Sequence, residues 1–249
     1  MNAFASIASE RGLRALIFDV DGTLADTERD GHRVAFNRAF ADAGRDWHWD
    51  VARYGELLAV AGGRERILHF IDSDAADIPL AQRDALAREL HARKTAHYVQ
   101  LVDMGEVRLR PGAARLIDDA HAAGLRLAIA TTTSRANVDA LLAHSLPAAA
   151  DWFEVIATAD DAPNKKPDPQ VYRYVLNRLG LHAEECLAVE DSALGLRAAR
   201  AAGIPTIATV NDYTRDQDFS GALVVLDDLG AISLTQLRAW HASITQSIF

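Results

Sequence analysis

One cysteine in 249 residues, Cys186, excludes an internal disulfide and a thiolate metal cluster. It stands at an apolar stretch, Cys186 to Val189, where a buried and inert thiol is expected. Cations are scarce too. The 26 lysines and arginines against 35 aspartates and glutamates give a net charge of -9, which argues against a broad nucleic-acid or anionic-membrane surface. No apolar run reaches the length of a membrane span. Met1 to Arg14 lacks the basic start and long apolar segment of a signal peptide, so it reads as a lead-in to the first strand, and a cytoplasmic location is expected. Neither repeats nor low-complexity segments occur. The remainder is an ordinary globular composition, long enough for one large or two modest domains.

The chain is organised around Leu16-Ile17-Phe18-Asp19-Val20-Asp21-Gly22-Thr23-Leu24. An apolar run of strand length ends in two carboxylates, and Gly22 lets the chain turn away. If that run is a buried parallel strand, Asp19 and Asp21 lie at its carboxyl end, the edge where open α/β sheets bind ligands. Two carboxylates so close call for a cation beside them. A calcium loop would need a third oxygen ligand before the glycine and a preceding helix; here a strand precedes.

From Val34 to Ala43 the apolar spacing becomes helical, and further helical segments follow around Tyr54, around Ile67 and from Leu80 to Val102. No strand is expected between residues 26 and 105. From Leu109 strands and helices alternate: strands at Leu125–Ala130, Val155–Ala157, Leu187–Val189, Ile204–Ala208 and Leu223–Leu226, then a last helix carrying Leu234, Leu237, Trp240 and Ile244. This predicts an α/β fold, a Rossmann-like parallel sheet covered on both faces, formed by residues 1–25 and 107–249, with residues 26–106 inserted as an all-helical block. Two crossings side by side make a hinge, and the block is expected to act as a lid.

Three further strand ends carry polar groups. Thr131-Thr132-Thr133-Ser134, with Asn137 in the helix it opens, offers hydroxyls and a helix start for a phosphate. Lys166 can offset charge beside a carboxylate, and Glu190-Asp191-Ser192 supplies hard oxygen ligands suited to magnesium. Each alone is an ordinary loop, turn or cap. All of them after successive strands, in order behind Asp-x-Asp-Gly-Thr, point to one site.

In these motifs the chain resembles the haloacid dehalogenase superfamily over roughly residues 14 to 230, and the inserted helices resemble its C1 cap. The resemblance implies that Asp19 attacks phosphorus and forms an aspartyl phosphate. Asp21 would then serve as general acid and base, beside Thr131 and Lys166. It also implies Mg2+ held by Asp19, Asp21, Glu190 and Asp191. The chemistry agrees: a carboxylate is ionised at neutral pH and needs no base to become a nucleophile.

Substrate choice is expected in the cap, where Gly62, Gly63, Arg64 and Arg66 lie between helical segments, His91 and Lys94 share a helix face, and Glu28 and His32 lie just past the hinge. These stretches resemble the CbbY-type branch, phosphatases of xylulose 1,5-bisphosphate that clear an inhibitor of Rubisco. By that likeness Glu28 holds sugar hydroxyls, and Arg64, His91 and Lys94 hold the distal phosphate. The partner implied is a small sugar phosphate, with a functional link to Rubisco but no direct contact implied. Leu194 departs from the Asn common in the branch. A β-phosphoglucomutase-like phosphomutase or a broader sugar-phosphate phosphatase shares this pattern. An inactive sugar-phosphate-binding module is disfavoured, because Asp19, Asp21 and Asp191 are all retained.

Overall fold

The computed structural model describes residues 12–75 and 77–246. Residues 1–11 of the expected lead-in lie outside the described residues. In chain order the elements begin with β1 (Ala15–Phe18), a π-helical turn (Glu28–His32), α1 (Arg33–Asp42), α2 (Val51–Leu57), α3 (Gly63–Asp74) and α4 (Leu80–Asp103). Then follow α5 (Ala113–Ala122), β2 (Arg126–Ala130), α6 (Arg135–Ser145), β3 (Phe153–Ala157), α7 (Gln170–Leu179), β4 (Cys186–Glu190), α8 (Ala193–Ala201), β5 (Thr206–Thr209), β6 (Val225–Leu226) and α9 (Leu234–Gln246).

The chain forms two compact units. One comprises residues up to Ala25, Leu109–Thr131 and residues from Ala148 on; the other comprises Asp26–Arg108 and Thr132–Pro147. In the first, six parallel strands pair in the order β3-β2-β1-β4-β5-β6. β1 lies in the middle because its residues are apolar on both faces, and all of them are buried. Strand order reverses between β1 and β4, which makes their carboxyl ends the switch point of the sheet. Ala25 and Leu109 form an isolated antiparallel bridge where the chain leaves and re-enters this unit.

The second unit is helical. α1 packs on α4 through Ala35, Phe36, Ala39 and Phe40, and Phe36, Phe40, Trp49, Tyr54 and Phe70 form a continuous aromatic core. α6 also packs on α4, so residues 132–147 join this unit although they follow β2 in sequence. Among the described residues no helix is long and apolar enough to cross a membrane.

Candidate active site

β1 and β4 run in register, Phe18 beside Val189, so the residues just past them emerge together. Asp19, Glu190 and Asp191 are buried, and one carboxylate oxygen of each lies within 4.8 Å of the others. Lys166 projects among them from the segment after β3. Its ammonium donates to Asp19 Oδ1 at 2.6 Å, Glu190 Oε1 at 2.6 Å and the Ala130 carbonyl at 2.9 Å, which uses all three of its protons. The Tyr172 hydroxyl of α7 donates to the same Glu190 oxygen, and the ring lies 5.3 Å from the ammonium.

Burial pushes the Asp19 carboxyl up to about 7; Glu190 and Asp21 add to the rise and Lys166 opposes it. Burial alone would lower Lys166, but Asp19 and Glu190 more than offset it and hold the ammonium above its ordinary range.

This group fits a divalent cation. Its donors are carboxylate oxygens, the hard ligands that magnesium, calcium and manganese prefer. Glu190 Oε2 is buried with no hydrogen-bond partner, a polar atom whose desolvation a cation would offset. A Cβ on Gly195 would stand 1.9 Å from that oxygen, so the first turn of α8 can take only glycine there. Asn211 donates to Asp191 Oδ2 at 2.7 Å, fixing the carboxylate's orientation. The Asp21 carboxylate, expected as a ligand, is not in the group. Its backbone bridges to Ala25, which carries it off the line of β1 at the Gly22 turn.

Thr131 and Thr132–Ser134, expected to form one cradle, are assigned to different units. Thr131 is buried in the sheet unit and its N–H donates to Ala157 at 3.0 Å, extending the ladder one residue beyond β2. Thr132, Thr133, Ser134 and Asn137 belong to the helical unit. Asn137 donates to Thr133 Oγ1 at 2.8 Å, while Ser134 Oγ and Asn137 Oδ1 are buried without partners.

The remaining expected residues sort into four groups in the helical unit. Lys94 is buried on the inward stripe of α4 with Leu90 and Tyr98; its ammonium lies 2.9 Å from His32 Nδ1 and over the rings of Phe36 and Tyr98 at 5.3 and 5.2 Å. Gly62 (φ 96°) opens α3, and Gly63 leaves room for His91, whose ring would stand 2.8 Å from a Cβ there. Glu28 accepts a hydrogen bond from the Tyr54 hydroxyl, which in turn accepts one from Arg66 Nη1 at 2.9 Å. Arg66 also donates to the carbonyls of Leu57 and Val60 and stacks over the Tyr54 ring, so it turns inward and steadies Glu28. Arg64 turns outward and pairs with Asp84, holding that carboxyl below the usual carboxylate range.

Sequence reasoning missed Tyr172, Asn211 and Tyr54. Tyr172 had a signal: it falls on the inward stripe of α7 with Val171, Val175 and Leu179, and a buried tyrosine hydroxyl needs an acceptor.

A family model described as haloacid dehalogenase-like hydrolase matches residues 13–203. CbbY of Cupriavidus necator is 50% identical over 92% of this chain and 97% of its own length. A phosphoglycolate phosphatase of Salmonella typhimurium is 30% identical, over 82% of this chain and 83% of that protein. The crystal structure of Rhodobacter sphaeroides CbbY with phosphate matches at a TM-score of 0.83 and 44% identity, over 90% of this chain and 99% of that one. An aspartate-to-asparagine variant of the same protein, crystallised with xylulose-1,5-bisphosphate, matches equally well. The chain therefore belongs to the haloacid dehalogenase-like hydrolase family: it is an enzyme of the phosphatase type, with CbbY proteins among its relatives.

Proposed function

We propose that the chain is a magnesium-dependent phosphatase of a sugar bisphosphate, with xylulose 1,5-bisphosphate as substrate. One observation carries the chemistry: a nucleophile-grade carboxylate, Asp19, is held 2.6 Å from a buried ammonium within a trio of carboxylates at the switch point of the sheet. The substrate rests on the relative crystallised with xylulose-1,5-bisphosphate.

Asp19 attacks phosphorus in line, its oxygen forming the new bond as the ester P–O bond breaks. Asp21 gives its proton to the departing sugar oxygen. Water then attacks the aspartyl phosphate, Asp21 takes its proton, and the bond to Asp19 breaks to release phosphate. Asp19, Glu190 and Asp191 would hold Mg2+, which offsets the repulsion between nucleophile and phosphoryl group. Lys166 keeps Asp19 oriented, and Thr131 lies one residue past β2 to meet a phosphoryl oxygen. Lys94, His91 and, once released from Asp84, Arg64 receive the second phosphate, while Glu28 meets sugar hydroxyls. Such an activity would remove an inhibitor of Rubisco.

The test is a panel of sugar mono- and bisphosphates and para-nitrophenyl phosphate, with magnesium and with chelator. The reading expects phosphate release that stops with chelation, and kcat/KM highest for xylulose 1,5-bisphosphate. Isomerised sugar phosphate without phosphate release would replace it with a phosphomutase, and no preference for the bisphosphate would leave a broader phosphatase.

A further inference from the structure

Arg110 is buried in the sheet unit one residue after the Leu109 bridge, and none of the roles above uses it. Its guanidinium donates to main-chain carbonyls: Gly22, Thr209 at 3.1 Å, Val210 at 2.7 Å and Asp227 at 2.6 Å. Its own N–H donates to the Leu24 carbonyl at 2.9 Å. One residue thus ties the loop after β1 to the ends of β5 and β6. An apolar side chain would fill such a space without the cost of desolvating a charge. What the planar fork adds is fixed geometry between several acceptors at once.

The loop it grips has little slack. Gly22 has φ 82°, and a Cβ there would stand 2.2 Å from Asp191 Oδ2 and 2.7 Å from Asn211 Nδ2. The Gly22 turn is pressed onto one metal-site carboxylate and onto the amide that steers it. Asn211 directly follows Val210, which Arg110 also holds. Asp21 directly precedes Gly22.

We propose that Arg110 is a positioning residue for phosphoryl transfer. It clamps the Gly22 turn to the ends of β5 and β6, so that Asp21 and the Asn211–Asp191 pair keep their register with Asp19. The proposal rests on the phosphatase reading. Displacement of a reacting group by about 1 Å can cost on the order of a hundredfold in rate, so a loosened turn is read in kcat. KM should hold, because Arg110 touches no group assigned to substrate.

The experiment compares wild type, Arg110→Lys, Arg110→Met and Arg110→Ala on para-nitrophenyl phosphate, with thermal melts of each. Arg110→Lys keeps the charge but not the fork. It is expected to melt as one cooperative unit and to lose about ten- to a hundredfold in kcat, with KM within about twofold. Millimolar methylguanidinium is expected to restore part of the kcat of Arg110→Ala. Should Arg110→Ala fail to fold, Arg110→Lys and Arg110→Met carry the test. A folded Arg110→Lys with wild-type kcat would overturn the proposal alone, as would a loss of kcat/KM in the folded variants that a rise in KM accounts for entirely. A wild type inert toward every phosphomonoester would remove the phosphatase reading and this proposal with it.

Discussion

Two buried lysines show two ways of keeping a cation out of water. Lys166, in the sheet unit, meets two carboxylates at 2.6 Å and a carbonyl at 2.9 Å. Lys94, in the helical unit, meets an imidazole nitrogen at 2.9 Å and the faces of two aromatic rings. Paired carboxylates neutralise an ammonium and fix its position. An imidazole and ring quadrupoles hold it while leaving most of its field intact. The first arrangement suits a lysine that orients a nucleophile. The second suits one that receives an anion.

The sharpest test of that contrast removes each charge in turn. Lys166→Met should abolish hydrolysis of both para-nitrophenyl phosphate and xylulose 1,5-bisphosphate. It strands the Asp19 and Glu190 carboxylates, a loss worth roughly 3–5 kcal/mol for a broken buried pair, so the melting temperature should fall and recover in part with magnesium. Lys94→Met should spare para-nitrophenyl phosphate. A charge-assisted contact is worth about 1.5–3 kcal/mol, so hydrolysis of the bisphosphate should lose about ten- to a hundredfold in kcat/KM. Equal losses on both substrates would mean that Lys94 only supports its unit.

A smaller effect concerns Asp19, which Lys166 only partly stabilises as an anion. Its carboxyl is raised to about 7, with burial the main cause. The folded state therefore binds more protons than the unfolded one between about pH 4 and 7, and stability falls as pH rises through that window. In chelator, Asp19→Asn should melt near the wild type at pH 4 and clearly above it at pH 8. Parallel melting curves across that range would show that Lys166 fully compensates Asp19.

The smallest effect sharpens the helical side. Asp84→Asn frees Arg64 from its exposed partner, and such pairs contribute little to stability, so the melting temperature should barely move. KM for the bisphosphate should fall about two- to threefold as Arg64 becomes available. An unchanged KM would take Arg64 out of the second phosphate site.

The same contrast explains what could be read from the sequence. The sheet and the Asp19, Lys166, Glu190 and Asp191 cluster were legible because parallel topology turns short motifs after successive strands into one location. The helical unit was legible as helices, yet not in its polar interior. Lys94 occupies a position on α4 that its neighbours Ala87, Leu90, Tyr98 and Leu101 mark as inward, but composition reads a lysine as solvated. The sequence sets Arg66 beside Arg64 with nothing to tell them apart, and only three-dimensional packing sends one inward and the other outward. Arg110 left no trace at all, since its acceptors are main-chain carbonyls and carry no residue identity.

The membership of α6 in the helical unit bears on protein engineering. Residues 26–108 invite excision, since Ala25 and Leu109 are already bridged and a short turn could rejoin them. Yet the surface of α6 that rests on α4 would then face water, with Val138, Leu141 and Leu142 among the helix's buried residues. A trimmed enzyme would inherit a sticky helix. A chimera with another member's insert would need a matching α6 as well, so the helical unit is transplanted in two pieces of chain rather than one.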